Sequence, residues 1–252
     1  MISKKPEKNE FFDINKLPAE KGLLLFGLSM NKLTNGLNAS HCLKYIQQIS
    51  PSKVSKPLIG LNFIYGDFLY LLSSEKSYIL KHKFMNEITH HKNSMQKLIH
   101  KHHLEFQIQN AFEYMTWNQL YLSMSDFPEK FSQLKNIYKK DKLFQKYLKE
   151  DCKAFNKKIS ENQINFFLEE HLMFYFLSKG KAYLPNEYIE HREKWILFCY
   201  PGNPLKAQIY LHQLNPFKLN WVENPYQNSQ YNLESKKLIN FENVDLETYS
   251  VK

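Results

Sequence analysis

Apolar residues run without a break from Leu23 to Phe26, and the run ends on Gly27-Leu28-Ser29-Met30-Asn31. Four to eight apolar residues bounded by a breaker suggest a strand buried on both faces, the kind found in parallel sheets covered by helices. Residues 21 to 28 are therefore read as a first strand. Asn38 to Ile49 suits a helix with Leu43 and Ile46 on its inner side, broken by Ser50-Pro51-Ser52-Lys53. Pro57 to Gly66 is a second apolar strand that ends in glycine. Strand, helix, strand at this spacing is a βαβ unit and predicts parallel pairing. From Lys83 to Tyr121 the pattern is helical, with Phe84, Ile88, Met95, Leu98, Ile99 and Phe106 on one face; Glu129 to Phe155 is a second long helical stretch. Ser160-Glu161-Asn162-Gln163 has the form of a capping box. It opens a helix through Phe166, Glu170 and Phe174 to about Ser178, closed by Gly180. Trp195 to Tyr200 is a further strand, stopped by Pro201-Gly202, and Asn203-Pro204 starts a helix through Ala207 and Leu211. Residues 1 to 20 and the polar stretch after Pro216 read as tails. The fold class is α/β with a parallel sheet flanked by helices, and 252 residues suit one such domain or two small ones.

Composition adds bounds. No apolar run reaches 18 residues, so no membrane span is expected. The first ten residues lack the apolar core of a secretory signal. Cys42, Cys152 and Cys199 are odd in number and far apart, without a Cys-x-x-Cys pair. That pattern indicates neither a disulfide framework nor a zinc site, and it fits a reducing cytoplasm. The net charge of +9 points to an anionic partner such as nucleic acid. It arises from lysine in a chain whose Lys, Asn, Ile, Phe and Tyr content also reflects an AT-rich coding bias, and Arg192 is the single arginine. Bidentate phosphate or guanine recognition recruits arginine. A polyanion contact here is therefore expected to position its partner rather than read its sequence.

Three places offer chemistry. Ser29 ends the first strand, and in open α/β sheets ligands bind beyond the carboxyl ends of the strands; equally, Gly-Leu-Ser is an ordinary strand-ending turn. Gly-x-Ser-x-Gly is absent, so Ser29 lacks a nucleophile-elbow context and a histidine base. Such a serine needs an acyl donor that is already activated. Tyr200 ends the last strand at the same edge, and a core aromatic with a satisfied hydroxyl is its plain alternative. On the late helix Phe166 and Glu170 share a face, while Glu169 points about 100° away. A carboxylate among Phe167, Leu168, Leu172 and Phe174 would pair with a cation or shift its pKa upward, whereas two solvent-facing acids would do neither. Lys81 to His103 holds five lysines and six histidines against one acid, Glu87. Lys83, His90, Lys97 and Lys101 form one stripe opposite the apolar face, which reads either as a rail for a phosphate backbone or as a solvated helix face. His91 and His102 fall on the apolar side as packing residues. The histidines recur without a carboxylate or cysteine at ligand spacing, so no metal is expected. No Walker loop or Gly-x-Gly-x-x-Gly turn is present, so neither ATP activation nor dinucleotide binding is indicated, and no cofactor is expected.

Taken together these residues resemble the tRNA-dependent cyclodipeptide synthases. The pattern of that family is Gly-x-Ser after the first strand, Tyr-x-x-x-Glu on a late helix, and a strand ending in Tyr-Pro or Tyr-His. Gly27-Leu28-Ser29 matches the first element, Tyr200-Pro201 the third, and Phe166 to Glu170 the second with phenylalanine in place of tyrosine. Lys32 is not the asparagine of one subfamily and Pro201 is not its histidine, so the chain resembles the Tyr-Pro subfamily. The match spans residues 21 to 215. The resemblance implies a single Rossmann-like domain over residues 1–252, with about 1–20 and 235–252 as loose tails, similar to the catalytic domains of class I tyrosyl-type aminoacyl-tRNA synthetases. It implies two aminoacyl-tRNAs as partners, no ATP, and a cytoplasmic monomer. Ser29 would take the first aminoacyl group, Glu170 would hold its ammonium, and Tyr200 would position the dipeptidyl intermediate or relay a proton. Phe166 stands in the catalytic pattern without the hydroxyl. Gly27, Asn31 and Pro201 would border the substrate, and Lys83, Lys92, Lys97 and Lys101 would hold the first tRNA. A non-catalytic RNA-binding module on the same fold, using the lysine face alone, is the alternative.

Overall fold

The computed structural model describes residues 17–18, 20–50, 59–67, 77–104, 114–155, 157–179 and 194–251. Six strands form one sheet: β1 (Gly22–Leu28), β2 (Ile59–Tyr65), β3 (Tyr114–Thr116), β4 (Trp195–Tyr200), β5 (Ser229–Asn232) and β6 (Lys237–Asn240), in the order β3-β2-β1-β4-β5-β6. The first five run parallel, and β6 pairs antiparallel with β5. Every residue of β1 and β2 is buried, as expected of continuous apolar strands covered on both faces.

The alternation along β1 sorts two cores. Leu24, Phe26 and Leu28 pack with Cys42, Ile46 and Ile49 of α1 (Ala39–Ile49) and with Phe84, Ile88, Met95 and Ile99 of α2 (Ser77–Lys101). Leu23 and Leu25 face the other way. They pack under α3 (Trp117–Ser123), α4 (Phe127–Lys140), α5 (Lys142–Ala154), α6 (Glu161–Lys179) and α7 (Lys206–Leu214). The βαβ unit read from the sequence is therefore present, with Pro57 and Leu58 outside the described residues. On α1 it is Cys42 rather than Leu43 that joins Ile46 inside; Leu43 is only half-buried.

Three sequence expectations are corrected. The stretch from Lys83 to Tyr121 is not one helix: α2 ends at Lys101, and β3 and α3 follow. His102, Leu104 and His103 donate their N–H groups to the carbonyls of Leu98, Ile99 and His100, with His103 in the left-handed region (φ 50°). This closure uses neither glycine nor proline, the residues that usually mark it. His102, expected on the apolar side, is exposed beyond the helix end, and Phe106 lies outside the described residues. Thr116 then opens α3 with a capping box, accepting from the Gln119 N–H at 3.2 Å while Gln119 Oε1 accepts from the Thr116 N–H at 2.8 Å.

The stretch from Glu129 to Phe155 is two helices, parted at Asp141. Its carboxylate accepts from the N–H groups of Leu143 and Phe144, restarting the chain as α5. The segment after Pro216 is not a tail. It supplies β5 and β6, and it buries Trp221, Tyr226, Tyr231, Leu233, Phe241 and Leu246. The proposed loose segment from 235 is included in this packing. Residues 1–16 lie outside the described residues.

His91 is a structural residue. Its Nε2 lies 2.9 Å from the Leu37 carbonyl, which can only accept, so Nε2 carries the proton and Nδ1 accepts from the Tyr65 hydroxyl at 2.9 Å. This bond pair ties α2 to β2 and to the turn after β1. His171 on α6 is also buried, but neither ring nitrogen finds a partner among the described residues. Burial pushes its pKa down to about 3. An unfolded imidazole takes a proton near pH 6.5. Below that pH the unfolded chain binds a proton that the folded chain refuses, so His171 withdraws stability as pH falls from about 6.5 towards 3, and withdraws none well above that range. Replacing it with leucine removes this term. The difference in unfolding free energy between the two proteins, from urea titrations at about pH 8 and pH 5, should shift by about 2 kcal/mol in favour of His171→Leu at the acid end. A pH-independent difference would show that the imidazole is not held neutral.

Candidate active site

Ser29 and Tyr200 sit at the carboxyl ends of the adjacent strands β1 and β4. Continuing the alternation, Gly27 and Ser29 lie on the face of Leu23 and Leu25, and Tyr200 on the face of Ile196 and Phe198. That is the face covered by α6, the helix carrying Phe166 and Glu170. The helix is anchored by Phe174, four residues after Glu170, whose ring meets Phe198 at 4.3 Å and Trp117 at 5.4 Å, both edge-on. One turn earlier, Glu170 overlooks the edge where β1 and β4 end.

Ser29 is half-buried and extended (φ −80°, ψ 125°), and it precedes the 3-10 turn Met30–Lys32. Its hydroxyl donates to Asn31 Oδ1 at 2.8 Å. Asn31, expected beside the substrate, thus orients the serine through its side chain. Gly27 is buried against the two rings of β4. A Cβ there would stand 3.2 Å from Tyr200 Cδ2 and 3.7 Å from Phe198 Cε1, so its absence lets the Tyr200 ring lie close against the strand next to Ser29. Pro201 is buried behind Tyr200, and Gly202 (φ +104°) turns the chain away in a conformation suited to glycine.

Two groups that the sequence reading did not single out complete the edge. Lys32, read there only as a departure from a motif, donates from Nζ to the Tyr200 hydroxyl at 3.5 Å and lies 5.6 Å from the centre of that ring. The segment around β5 fixes the turn after Tyr200. The Leu233 N–H donates to the Tyr200 carbonyl, Gln230 Nε2 to the Gly202 carbonyl, and Asn232 Nδ2 to Asn203 Oδ1. The alternation Gln230-Tyr231-Asn232-Leu233 was the available signal for that strand. Across the same turn, Asp151 of α5 accepts from the N–H groups of Lys206 and Ala207 at 3.0 and 2.8 Å, capping α7 from another helix.

The neighbouring carboxyls of α6 differ. Glu169 is buried; its Oε1 and the Trp117 Nε1 find no hydrogen-bond partner among the described residues. Burial pushes its pKa up to about 7, and the nearby indole N–H works against that rise without reaching hydrogen-bond geometry. Glu170 is half-buried. Burial raises it to about 7 as well, opposed by the Lys32 ammonium. Lys32, on the turn after Ser29, thus touches Tyr200 and is felt by Glu170, whereas Glu169 turns towards Trp117. Phe166 is half-buried and meets Phe167 edge-on at 5.7 Å. This set provides a hydroxyl nucleophile, a carboxylate that can hold or accept a proton near neutral pH, and a phenol beside an ammonium.

The basic stripe lies on α2. Lys83, His90, Lys97 and Lys101 are exposed and Lys92 is half-buried, while Phe84, Ile88, Met95 and Ile99 are buried on the opposite face. Lys83 faces Glu87 at 3.7 Å. Among the described residues, no group of three or more His, Cys, Asp or Glu side chains could hold a metal ion. Nor is any described helix long and apolar enough to cross a membrane.

No protein-family model and no curated protein matches the chain. Solved structures do. A cyclodipeptide synthase from Fluoribacter dumoffii is similar at a TM-score of 0.54 and 13% identity, over 80% of this chain and 87% of that one. Those from Staphylococcus haemolyticus and Bacillus thermoamylovorans are similar at TM-scores of 0.48 and 18% identity, over 81% of this chain and 87% and 86% of theirs. At these identities the likeness is one of fold. The chain shares with the Fluoribacter dumoffii protein a Rossmann-like α/β architecture, a mostly parallel sheet flanked by helices.

Proposed function

We propose that this chain is a tRNA-dependent cyclodipeptide synthase, an aminoacyltransferase that joins the aminoacyl groups of two aminoacyl-tRNAs into a 2,5-diketopiperazine. The observation that carries the reading is the placement of Ser29 and Tyr200 at the carboxyl ends of adjacent parallel strands, on the face covered by the helix that carries Glu170. A serine outside a Gly-x-Ser-x-Gly elbow suits an ester activated elsewhere, so the reaction needs no ATP. Ser29 Oγ attacks the ester carbonyl of the first aminoacyl-tRNA. The bond to the ribose oxygen breaks, and the tRNA leaves with the proton that serine lost. Glu170 holds the ammonium of the bound aminoacyl group. Once that group is a free amine it attacks the ester of the second aminoacyl-tRNA, releasing the second tRNA and leaving a dipeptidyl ester on Ser29. The terminal amine then attacks the Ser29 ester, closes the ring and returns the hydroxyl, with Tyr200 relaying the proton. The exposed lysines of α2 support a phosphate-backbone contact for the first tRNA.

The test is expression in bacteria with mass spectrometry of the medium. Cyclic dipeptides that disappear with Ser29→Ala support the enzyme, and their absence under every condition refutes it in favour of an RNA-binding module. For the carboxylates, Glu170→Gln should slow formation of the aminoacyl-enzyme about ten- to hundredfold, the worth of one charged hydrogen bond. Glu169→Gln should leave it near the unmutated rate. Rapid-quench measurement of protein-bound label distinguishes them, and the opposite order would transfer the role to Glu169.

A further inference from the structure

We propose that α5 is a second RNA-docking face, one that holds the phosphate backbone of the second aminoacyl-tRNA on the opposite side of the sheet from α2. The identity of that RNA rests on the function proposed above; the face stands on charge and placement. Lys142, Lys146, Lys149 and Lys153 follow one another at helical spacing and fall within about 60° of the α5 circumference, over about 16 Å of its length. All four are exposed, and Lys157 and Lys158 extend the stripe past the helix end, where the Lys157 N–H donates to the Cys152 carbonyl at 2.8 Å. The opposite face, with Phe144, Leu148 and Cys152, is buried in the core.

The acids of this stretch are engaged in holding the fold. Residues 129 to 158 contain ten lysines against Glu129, Asp141, Glu150 and Asp151. Glu129 accepts from Gln133, Asp141 caps α5, Asp151 caps α7, and Glu150 pairs with Lys206 at 2.9 Å. On the stripe Lys146 pairs with Glu247 at 2.7 Å, while Lys142, Lys149 and Lys153 have no ion-pair partner among the described residues. A row of ammonium groups about one turn apart suits a phosphate backbone. It suits a lipid surface less well, because the apolar face of α5 is already buried and has nothing to insert.

The stripe leads to the candidate site. At its far end the Tyr210 hydroxyl donates to Asp141 at 2.9 Å, and at its near end the Lys206 and Ala207 N–H groups donate to Asp151. α5 therefore runs antiparallel to α7 and ends beside the turn that follows Tyr200, the group assigned to ring closure after the second ester has reacted. α2 lies across the sheet, packed on Leu24, Phe26 and Leu28, whereas α5 shares the core of Leu23 and Leu25. With the sheet between the two helices, one run of backbone does not follow both. Two RNAs that approach one strand edge over its two faces do.

The experiment compares the unmutated chain with two triple variants that lose equal charge. One carries Lys142→Gln, Lys149→Gln and Lys153→Gln on α5; the other carries Lys83→Gln, Lys97→Gln and Lys101→Gln on α2. First, uncharged tRNA is titrated at about 0.05 M salt, and the RNA bound per chain is counted by sedimentation velocity. The unmutated chain should take two and the α5 variant one. Second, protein-bound label is followed by rapid quench. The α5 variant should form the aminoacyl-enzyme at the unmutated rate and consume it about tenfold more slowly when the second aminoacyl-tRNA is subsaturating. The α2 variant should form it about tenfold more slowly. An RNA count that does not fall in the α5 variant overturns the proposal whether or not the chain makes cyclic dipeptides. Loss of binding to phosphatidylglycerol vesicles in that variant, with tRNA binding unchanged, overturns it in favour of a membrane surface. A count that falls to one in a chain that makes no cyclic dipeptide keeps the RNA face and refutes the synthase. An active α5 variant that slows both steps alike overturns the assignment to the second tRNA.

Discussion

On the proposed function, Ser29→Ala leaves a folded protein that makes no cyclic dipeptide, with turnover lowered by at least about a thousandfold. Both halves of that result follow from the site. The hydroxyl is half-buried and donates to Asn31, two residues on. Losing that bond costs about 1 kcal/mol of stability, and Met30, the next residue, stays buried in the core. The chemistry has no substitute for it. Lys32 and Tyr200 are at hand, but each stands on a different element from the serine oxygen that the ester must reach. Intact-protein mass spectrometry in the presence of one aminoacyl-tRNA should show the aminoacyl adduct on the unmutated chain and none on the variant. Product formed at equal rates by Ser29→Ala would remove the covalent mechanism altogether.

Gly22→Ala is expected to be the most damaging single methyl group in the described fold. Glycine inside a strand usually weakens it, so propensity alone predicts a gain of about 0.5–1 kcal/mol from alanine. The packing predicts the reverse. Gly22 is paired in register with Trp195 of β4, and a Cβ on Gly22 would fall 1.9 Å from Trp195 Cε2. The indole has nowhere to go. It is buried, its Nε1 donates to the Glu20 carbonyl at 3.2 Å, and its other side meets Tyr226 edge-on at 5.6 Å. Overpacking of this kind costs about 3 kcal/mol, which outweighs the propensity several times. Urea unfolding followed by tryptophan fluorescence should show the midpoint falling accordingly. A midpoint at or above that of the unmutated chain would mean that the indole does not cover Gly22.

The parts that were legible in the sequence are those with strong local signals. β1, β2 and β4 are strongly apolar segments bounded by glycine or proline, and the parallel pairing of β1 with β2 followed from the βαβ spacing, whereas the place of β4 beside β1 did not. Ser29 and Tyr200 inherited their location from those strand ends. What the sequence concealed depended on side chains acting as punctuation where no glycine or proline stands. Asp141 parts α4 from α5 by accepting two amide hydrogens, and His103 closes α2 from a left-handed conformation that is uncommon outside glycine. β5 and β6 are four residues each and rich in polar side chains: β6 lies at the sheet edge and is only partly buried, while β5 is buried, with Gln230 and Asn232 hydrogen-bonded to the turn after β4. Lys32 was invisible for a different reason. Its significance lies in which tyrosine it folds back upon, and 168 positions separate them.

That same late segment gives the protein a direction in time. The Tyr200 carbonyl accepts from the Leu233 N–H and the turn after it from Gln230, residues that leave the ribosome later. Until they arrive, β4 is an open strand edge with its ladder groups exposed, the state in which nascent sheets recruit one another. On the proposed function, Ser29 and Glu170 are synthesised before the strand that fixes the turn after Tyr200, and the pairing of β5 with β4 is the step that completes the site.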